Sequence, residues 1–298
     1  MASSESLVIV FFFLLQLIVT TGPPLFFSKA LAITMAPPPP ENVTFGNRRT
    51  SSAVFAFGDS ILDTGNNDHI ATLIKSNFPP YGRDFPGRIP TGRFSDGRLI
   101  SDFIVENLGI KHFLPPYLDP SLQAEDLTMG VCFASAFLAG QASAFLRQLY
   151  GLGARKIVHL SALTTGCSPA FRTLLGGVQR QCSDECNELA VMFNEKLGHE
   201  IQRLNDDVSL PDLSVQFVDV YTPLLDIIRR PENYGFVVTK EGCCGTGTIE
   251  FGFLCNRLSP STCADTSKYI FWNGLHPTEK AYKILTSVIM KDIKKLLY

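Results

Sequence analysis

Charge is scarce in this 298-residue chain: Asp, Glu, Lys and Arg make up 18% of it and the formal net charge is -2. A near-neutral surface with no basic block excludes the electrostatic footprint of a nucleic-acid binder. Internal repeats are absent, which excludes solenoids and propellers. Histidines number only 5, and no cysteine pair has the C-x-x-C spacing of a zinc ribbon, so no metal and no cofactor are expected. Long apolar runs are lacking too, apart from one near the N-terminus. What the chain has is hydrophobic residues, 45% of the total with 23 Phe among them. That is enough for a sizeable core and excludes disorder as the main state. The length allows one large α/β domain or two modest ones.

The one long apolar run is Leu7–Val19, LVIVFFFLLQLIV. It is short for a membrane span and suits the hydrophobic region of a signal peptide. Ala30-Leu31-Ala32 supplies a small-x-small cleavage pattern, so residues 1–32 read as a signal peptide and Ile33 as a new N-terminus. The competing reading is a retained anchor. With the leader removed, no stable membrane span remains. Residues 33–50, with Pro37 to Pro40, read as a stiff exposed linker. Asn42-Val43-Thr44 is an N-glycosylation sequon in that linker. Secretion to the extracellular space, the apoplast in a plant, is the localisation expected.

A secretory route makes cysteines disulfide candidates before metal ligands. Cys167 and Cys182 flank one loop, and Cys243, Cys244, Cys255 and Cys263 crowd a Gly-rich segment. Two stapled loops are predicted, with zinc as the alternative at the second. Cys132, inside an apolar run, reads as a buried free thiol.

From residue 51 the pattern alternates. Ala53–Phe57 is a short apolar strand that ends in Gly58-Asp59-Ser60. Helical periodicity follows over 96–108, 137–150, 184–204, 224–228 and 277–297, and strand patterns over 131–136, 156–162 and 215–220. Such alternation implies a mostly parallel sheet covered on both faces. Ligands collect where those strands end, so Ser60 stands where a nucleophile would; its other reading is a helix N-cap. His276 lies in the loop Trp272-Asn273-Gly274-Leu275-His276-Pro277, with Pro277 read as opening the last helix. His159 and His199 read as structural or solvated.

These motifs together resemble the plant GDSL esterase/lipase family of the SGNH hydrolases. The match rests on Phe57-Gly58-Asp59-Ser60 with Asp63-Thr64-Gly65-Asn66-Asn67, on Tyr81-Gly82, and on Pro90 to Arg98. It continues through Gly130 to Ala136, Gly153 to Lys156, Gly166-Cys167, Tyr234-Gly235-Phe236, Cys243-Cys244-Gly245 and Phe271 to Glu279. The resemblance implies a flavodoxin-like three-layer α/β/α fold and hydrolysis of carboxylic esters through an acyl-enzyme. Ser60 would be the nucleophile and His276 the general base and acid. Its partner would be a small acyl ester or lipid. The oxyanion would be held by the Ser60 N–H, a Gly of the second motif block and an Asn of a G-x-N-D block.

Three positions depart from the family pattern. Asn273 occupies the place of the Asp that orients the histidine; an amide supplies no charge, and its N–H₂ can select the wrong tautomer. Phe137 stands at the oxyanion Gly position. The G-x-N-D block, with its Asn, is absent. One cause covers the last two: a segment is missing after residue 136, and with it the third strand at the sheet centre. The domain over 51–298 is therefore expected to be a secreted esterase/lipase with a damaged site. The alternatives are a catalytically dead acyl- or glycan-binding protein and a non-functional truncated isoform.

Overall fold

The computed structural model describes residues 6–10, 53–135, 142–258 and 261–297. The linker 33–50 with Asn42, most of the leader, and Phe137 lie outside the described residues. Four parallel strands form the main sheet: β1 (Ser6–Val10), β2 (Ala53–Phe57), β3 (Lys156–Leu160) and β4 (Ser214–Val218), in the order β2-β1-β3-β4. Residues 131–135 run alongside β2: Ala56 N–H donates to Val131 O at 3.2 Å, Phe133 N–H to Ala56 O at 2.7 Å and Ser135 N–H to Gly58 O at 3.0 Å. Among these residues Cys132 alone pairs as a strand residue does, parallel to Ala56 and to Pro116, so the strand expected over 131–136 is reduced to that one residue. Taken from this edge, the spatial order is that of a flavodoxin-like sheet.

The empty centre expected from the missing third strand is not empty. Ser6–Val10 fills it, parallel to β2 on one side (Ser6 opposite Ala53, Val10 opposite Phe57) and to β3 on the other (Leu7 opposite Lys156, Val10 opposite His159). The first third of the run read as a leader is thus the central strand. A run of apolar residues suits a strand buried on both faces as well as it suits a leader.

Seven α-helices are described: α1 (Ile100–Asn107), α2 (Ala124–Met129), α3 (Ala142–Gly151), α4 (Pro169–Leu175), α5 (Asp184–Asn205), α6 (Tyr221–Arg229) and α7 (Glu279–Leu297). Alternation along the strands sorts the core into two layers. Leu7, Ile9, Val54, Ala56, Val158 and Leu160 pack with α1 and α7 through Phe103, Ile104, Leu285, Ile289 and Ile293. Val8, Ile157 and Val215 pack with α3 and α5 through Leu146, Leu149, Leu197, Ile201 and Leu204.

Local chemistry sets the helix ends. The Ser183 hydroxyl accepts the Cys186 N–H at 3.3 Å and caps α5, with Asp184 and Glu185 in its first turn. The helix expected from residue 96 begins only at Ile100, where Asp102 accepts the Leu99 N–H at 2.9 Å. Asp96 is committed elsewhere: it accepts the Glu279 N–H at 2.7 Å and caps α7 across the chain. Helix α7 correspondingly starts at Glu279, because Pro277 is held in an antiparallel bridge to Phe271. A small second sheet, β5 (Val238–Gly242) with β6 (Tyr269–Phe271), has no counterpart in the sequence pattern. Its polar β5, VTKEG, lies at the surface and carries no apolar alternation.

Candidate active site

Strand β2 delivers the chain to a tight turn. The Asp59 carbonyl accepts the N–H groups of Leu62 at 3.1 Å and Asp63 at 3.0 Å, and the Asp59 carboxylate accepts that of Ile61 at 3.0 Å. Ile61 and Leu62 are buried, which pins the far side of the turn. Ser60 is left at its tip, at the C-terminal edge of the sheet. No α-helix follows, so the N-cap reading of Ser60 does not apply. Among the described residues nothing accepts the Ser60 backbone N–H.

The His276 loop comes to this point from the other end of the chain. His276 Nε2 lies 2.7 Å from Ser60 Oγ, and its Nδ1 lies 3.0 Å from Asn273 Oδ1. The amide orientation of Asn273 follows from its neighbours. Its Oδ1 accepts the backbone N–H groups of Leu275 and His276, each at 2.9 Å, which only an oxygen can do. Its Nδ2 donates to the Tyr81 hydroxyl oxygen at 3.3 Å, and Tyr81 in turn donates to Gly252 O at 3.1 Å. Asn273 therefore presents an acceptor to the ring, Nδ1 carries the proton, and Nε2 keeps its lone pair for Ser60. The wrong-tautomer expectation is overturned by these two backbone donors.

What the amide does not supply is charge. His276 is only 3% exposed, and burial pushes its pKa down to about 3. The imidazole is neutral at all ordinary pH, and no carboxylate among its partners offsets the cost of an imidazolium.

Much of the molecule serves to hold this histidine. The Phe94 ring packs 5.3 Å from the imidazole. Ser95 Oγ donates to Pro277 O at 3.1 Å, next to the Asp96 cap on α7, and Arg98 pairs with Glu279 at 2.8 Å. Arg93 anchors the same stretch through a buried two-point pair with Asp102, at 2.8 and 2.7 Å, and through Thr64 O and Leu114 O, both at 3.1 Å. On the opposite side, Cys243 N–H and Cys244 N–H donate to Phe271 O and Trp272 O at 3.1 and 2.8 Å. A methyl group on Gly242 would meet the Asn273 backbone at 2.7 Å, so only glycine lets these segments approach so closely. Disulfides Cys243–Cys263 and Cys244–Cys255 tie that loop, and Cys167–Cys182 ties the one before α5. Cys132 and Cys186 are free thiols; Cys132 is buried and its pKa is pushed up to about 12, chiefly by burial.

The polar residues after Ser60 brace the edge beside β2. Asn66 Nδ2 donates to Cys132 O and Ala134 O, both at 2.8 Å, and Asn67 Oδ1 accepts Ser135 Oγ at 2.6 Å. Asp63 Oδ1 accepts the N–H groups of Gly65 and Asn66, yet burial dominates and pushes its pKa up to about 7.

Of the residues singled out in the sequence, the structure brings Ser60, Asn273 and His276 together. Tyr81, Phe94 and Asp96 surround them; they lie in matched motifs, but nothing in their spacing gave them a role. Among the described residues no cluster of three metal-ligating side chains occurs, and no helix is long and apolar enough to cross a membrane. A cavity of about 910 Å³ between α5, α6 and β5 is lined by Arg172, Tyr221 and Lys240 and by none of the three site residues.

The sequence model of the GDSL-like Lipase/Acylhydrolase family matches residues 54–141 and 135–289, in two pieces. GDSL esterase/lipase At5g42170 of Arabidopsis thaliana is 40% identical over 325 residues, covering 83% of this chain and 88% of that protein. GDSL esterase/lipase At3g14820 from the same plant is 40% identical over 324 residues, covering 83% and 92%. GDSL esterase/lipase EXL3, also from that plant, is 36% identical over 316 residues, covering 80% and 86%. The first alignment is longer than the whole chain while using 83% of it, so a stretch of the relative has no counterpart here. The two family matches meet at 135–141, where the sequence places the missing segment.

Proposed function

The chain belongs to the GDSL esterase/lipase family of carboxylic ester hydrolases, and from that premise we propose that it hydrolyses small acyl esters or lipids slowly through Ser60. The observation that carries this reading is the 2.7 Å contact between Ser60 Oγ and His276 Nε2. Ser60 Oγ attacks the ester carbonyl as its proton passes to Nε2. The carbonyl–alkoxide bond then breaks, and the same proton leaves with the alcohol. A water molecule repeats the sequence on the acyl-enzyme and regenerates Ser60. Asn273 holds the productive tautomer throughout.

Two deficits support the slow rate. The imidazolium formed in each transition state meets an amide instead of a carboxylate. The oxyanion finds the Ser60 N–H, while Phe137 replaces the family glycine and the family asparagine is absent; each lost donor costs about 10²–10³ in turnover. Those missing donors favour a second reading, in which the chain binds acyl esters without turning them over.

Three disulfides support a working compartment outside the reducing cytosol, on the secretory route or in the extracellular space. A glycan on Asn42 is the expected mark of that route. The test of function uses the purified full chain with p-nitrophenyl acetate and butyrate, a fluorophosphonate label and the Ser60→Ala variant. Slow nitrophenol release and labelling, both lost in Ser60→Ala, are expected. Release at the same rate in Ser60→Ala overturns Ser60 hydrolysis, and ester binding with no labelling favours the second reading.

A further inference from the structure

We propose that Ser6–Val10 is a donor strand in cis: it replaces the strand lost after Ala136 wherever the N-terminal segment is kept, so that removal of that segment on the secretory route opens the sheet. The slot between β2 and β3 is the surface concerned, and its occupant is a parallel strand that is apolar from Leu7 to Val10.

The fit is specific at three levels. Pairing is continuous on both sides, with Val8 opposite Phe55 and Ile157, and Ile9 opposite Ala56 and Val158. The faces are right: Leu7 and Ile9 enter the layer under α1 and α7, and Val8 enters the layer under α3 and α5. A slip of one residue would exchange these faces. Burial is complete, with Leu7 and Ile9 at 0% exposure and Val8 at 4%.

Nothing else described can take that place. Without β1, strands β2 and β3 would stand roughly 9–10 Å apart, twice the normal spacing and beyond hydrogen-bonding reach. Both would then show open edges at the sheet centre, an invitation to pairing between chains. Ser60 follows β2 directly, so an unpaired β2 also loosens the turn that carries the nucleophile.

For any one molecule, removal after Ala32 and membership of the sheet exclude each other. The leader-like composition and the strand are two uses of the same apolar residues. A molecule cut after Ala32 has an open slot; a molecule that keeps the segment has a complete sheet.

The test cuts the full chain after it has folded. A site for a sequence-specific protease is inserted after Pro40, and the folded protein is cut under native conditions. The N-terminal fragment is expected to stay bound to the body through gel filtration and to separate only in denaturant. Aggregation of the cut protein, with the uncut control remaining soluble, would equally place the strand in the fold. Release of the fragment from a body that keeps its thermal midpoint would overturn the proposal. Hydrogen exchange on the uncut chain gives an independent measurement. Amides of residues 7–10 are expected to be protected at least 10³-fold, like those of 157–160. Exchange of 7–10 at the free-peptide rate beside a protected 157–160 would also overturn it.

Discussion

The two sides of Ser60 are built very differently. On one side stands His276, held by Asn273, Phe94, Ser95, the Asp96 cap and the disulfide-tied loop at 243–263. On the other side lies the edge where an oxyanion would be received, with the Ser60 N–H and a chain that breaks from the family pattern after residue 136. Most supports of His276 come from residues 81–102 and 242–282, with Thr64, Leu114 and the Ala170 N–H on Gly274 O adding to them. Among the described residues none comes from the stretch between 142 and 156. On the function proposed above, a lost central segment would leave the proton-transfer half of a hydrolase intact while removing the electrostatic half. The two halves share one serine but not one scaffold.

The largest effect expected is on the scaffold of the histidine side. Arg93→Ala strands the buried Asp102 carboxylate and should cost about 3–5 kcal/mol in urea unfolding. A loss under about 1 kcal/mol would mean that this side is held by packing alone. Next comes the disulfide that closes the loop behind Trp272. Cys243→Ser with Cys263→Ser should cost about 2–4 kcal/mol and lower the thermal midpoint, whereas Cys186→Ser should change neither.

A smaller effect separates the two halves directly. Asn273→Asp restores a carboxylate beside His276, yet the oxyanion side still limits the rate. The present wiring also suits an amide: Tyr81 accepts from Asn273 Nδ2 while its own proton is given to Gly252 O. An aspartate there makes the Tyr81 hydroxyl abandon Gly252 or face a second acceptor. We expect kcat/KM on p-nitrophenyl acetate to change less than about tenfold, since groups that act as a unit are not repaired singly. A rise well beyond that would show the oxyanion side to be sound.

The smallest effect is in the pH dependence of stability. His276 and His159 are held neutral by burial, with pKa values near 3 and 4, against 6.5 for a free histidine. Their contribution is complete above pH 6.5 and is lost as pH falls through 4 and 3. Asp63 and Asp96 are pushed up to about 7, chiefly by burial, from 3.8. Their contribution is complete below pH 3.8 and is lost as pH rises through 7. Between pH 4 and 6 the two trends oppose each other, but Asp68, pushed up to about 6 by burial, joins the carboxylate side, so the wild-type unfolding free energy should fall gently with pH. Asp63→Asn keeps an acceptor for Gly65 and Asn66 but removes one titration. Its stability should fall less steeply with pH over that window than the wild type's; an unchanged slope would mean that Asp63 is not held protonated by burial.

How much of this was legible beforehand varies residue by residue. The strand at 53–57, the long helix at 184–205 and the closing helix carry their period in the sequence and were expected close to where they lie. Helix starts were less legible, because Asp96 and Pro277 answer to partners far along the chain rather than to their neighbours. Ser60 and His276 were legible through their motifs, and the loops holding the six paired cysteines through composition. The pairing of Cys243, Cys244, Cys255 and Cys263 was not, since four cysteines in one loop leave the choice to geometry. Tyr81, Phe94 and Asp96 stood inside recognisable motifs without any local sign of what they support.

By itself the sequence determined the alternation of strand and helix, the two-faced core and the residues able to do acyl chemistry, because each is written in local period or local residue type. The tertiary structure alone decided two things. One is which way the Asn273 amide faces, since an amide has no preferred orientation until donors are placed around it, here the N–H groups of Leu275 and His276. The other is the fate of Leu7–Ile9. A stretch apolar on every side has no face of its own and suits a membrane or a buried sheet equally; the unpaired edges of β2 and β3, brought together from distant parts of the chain, made it a strand.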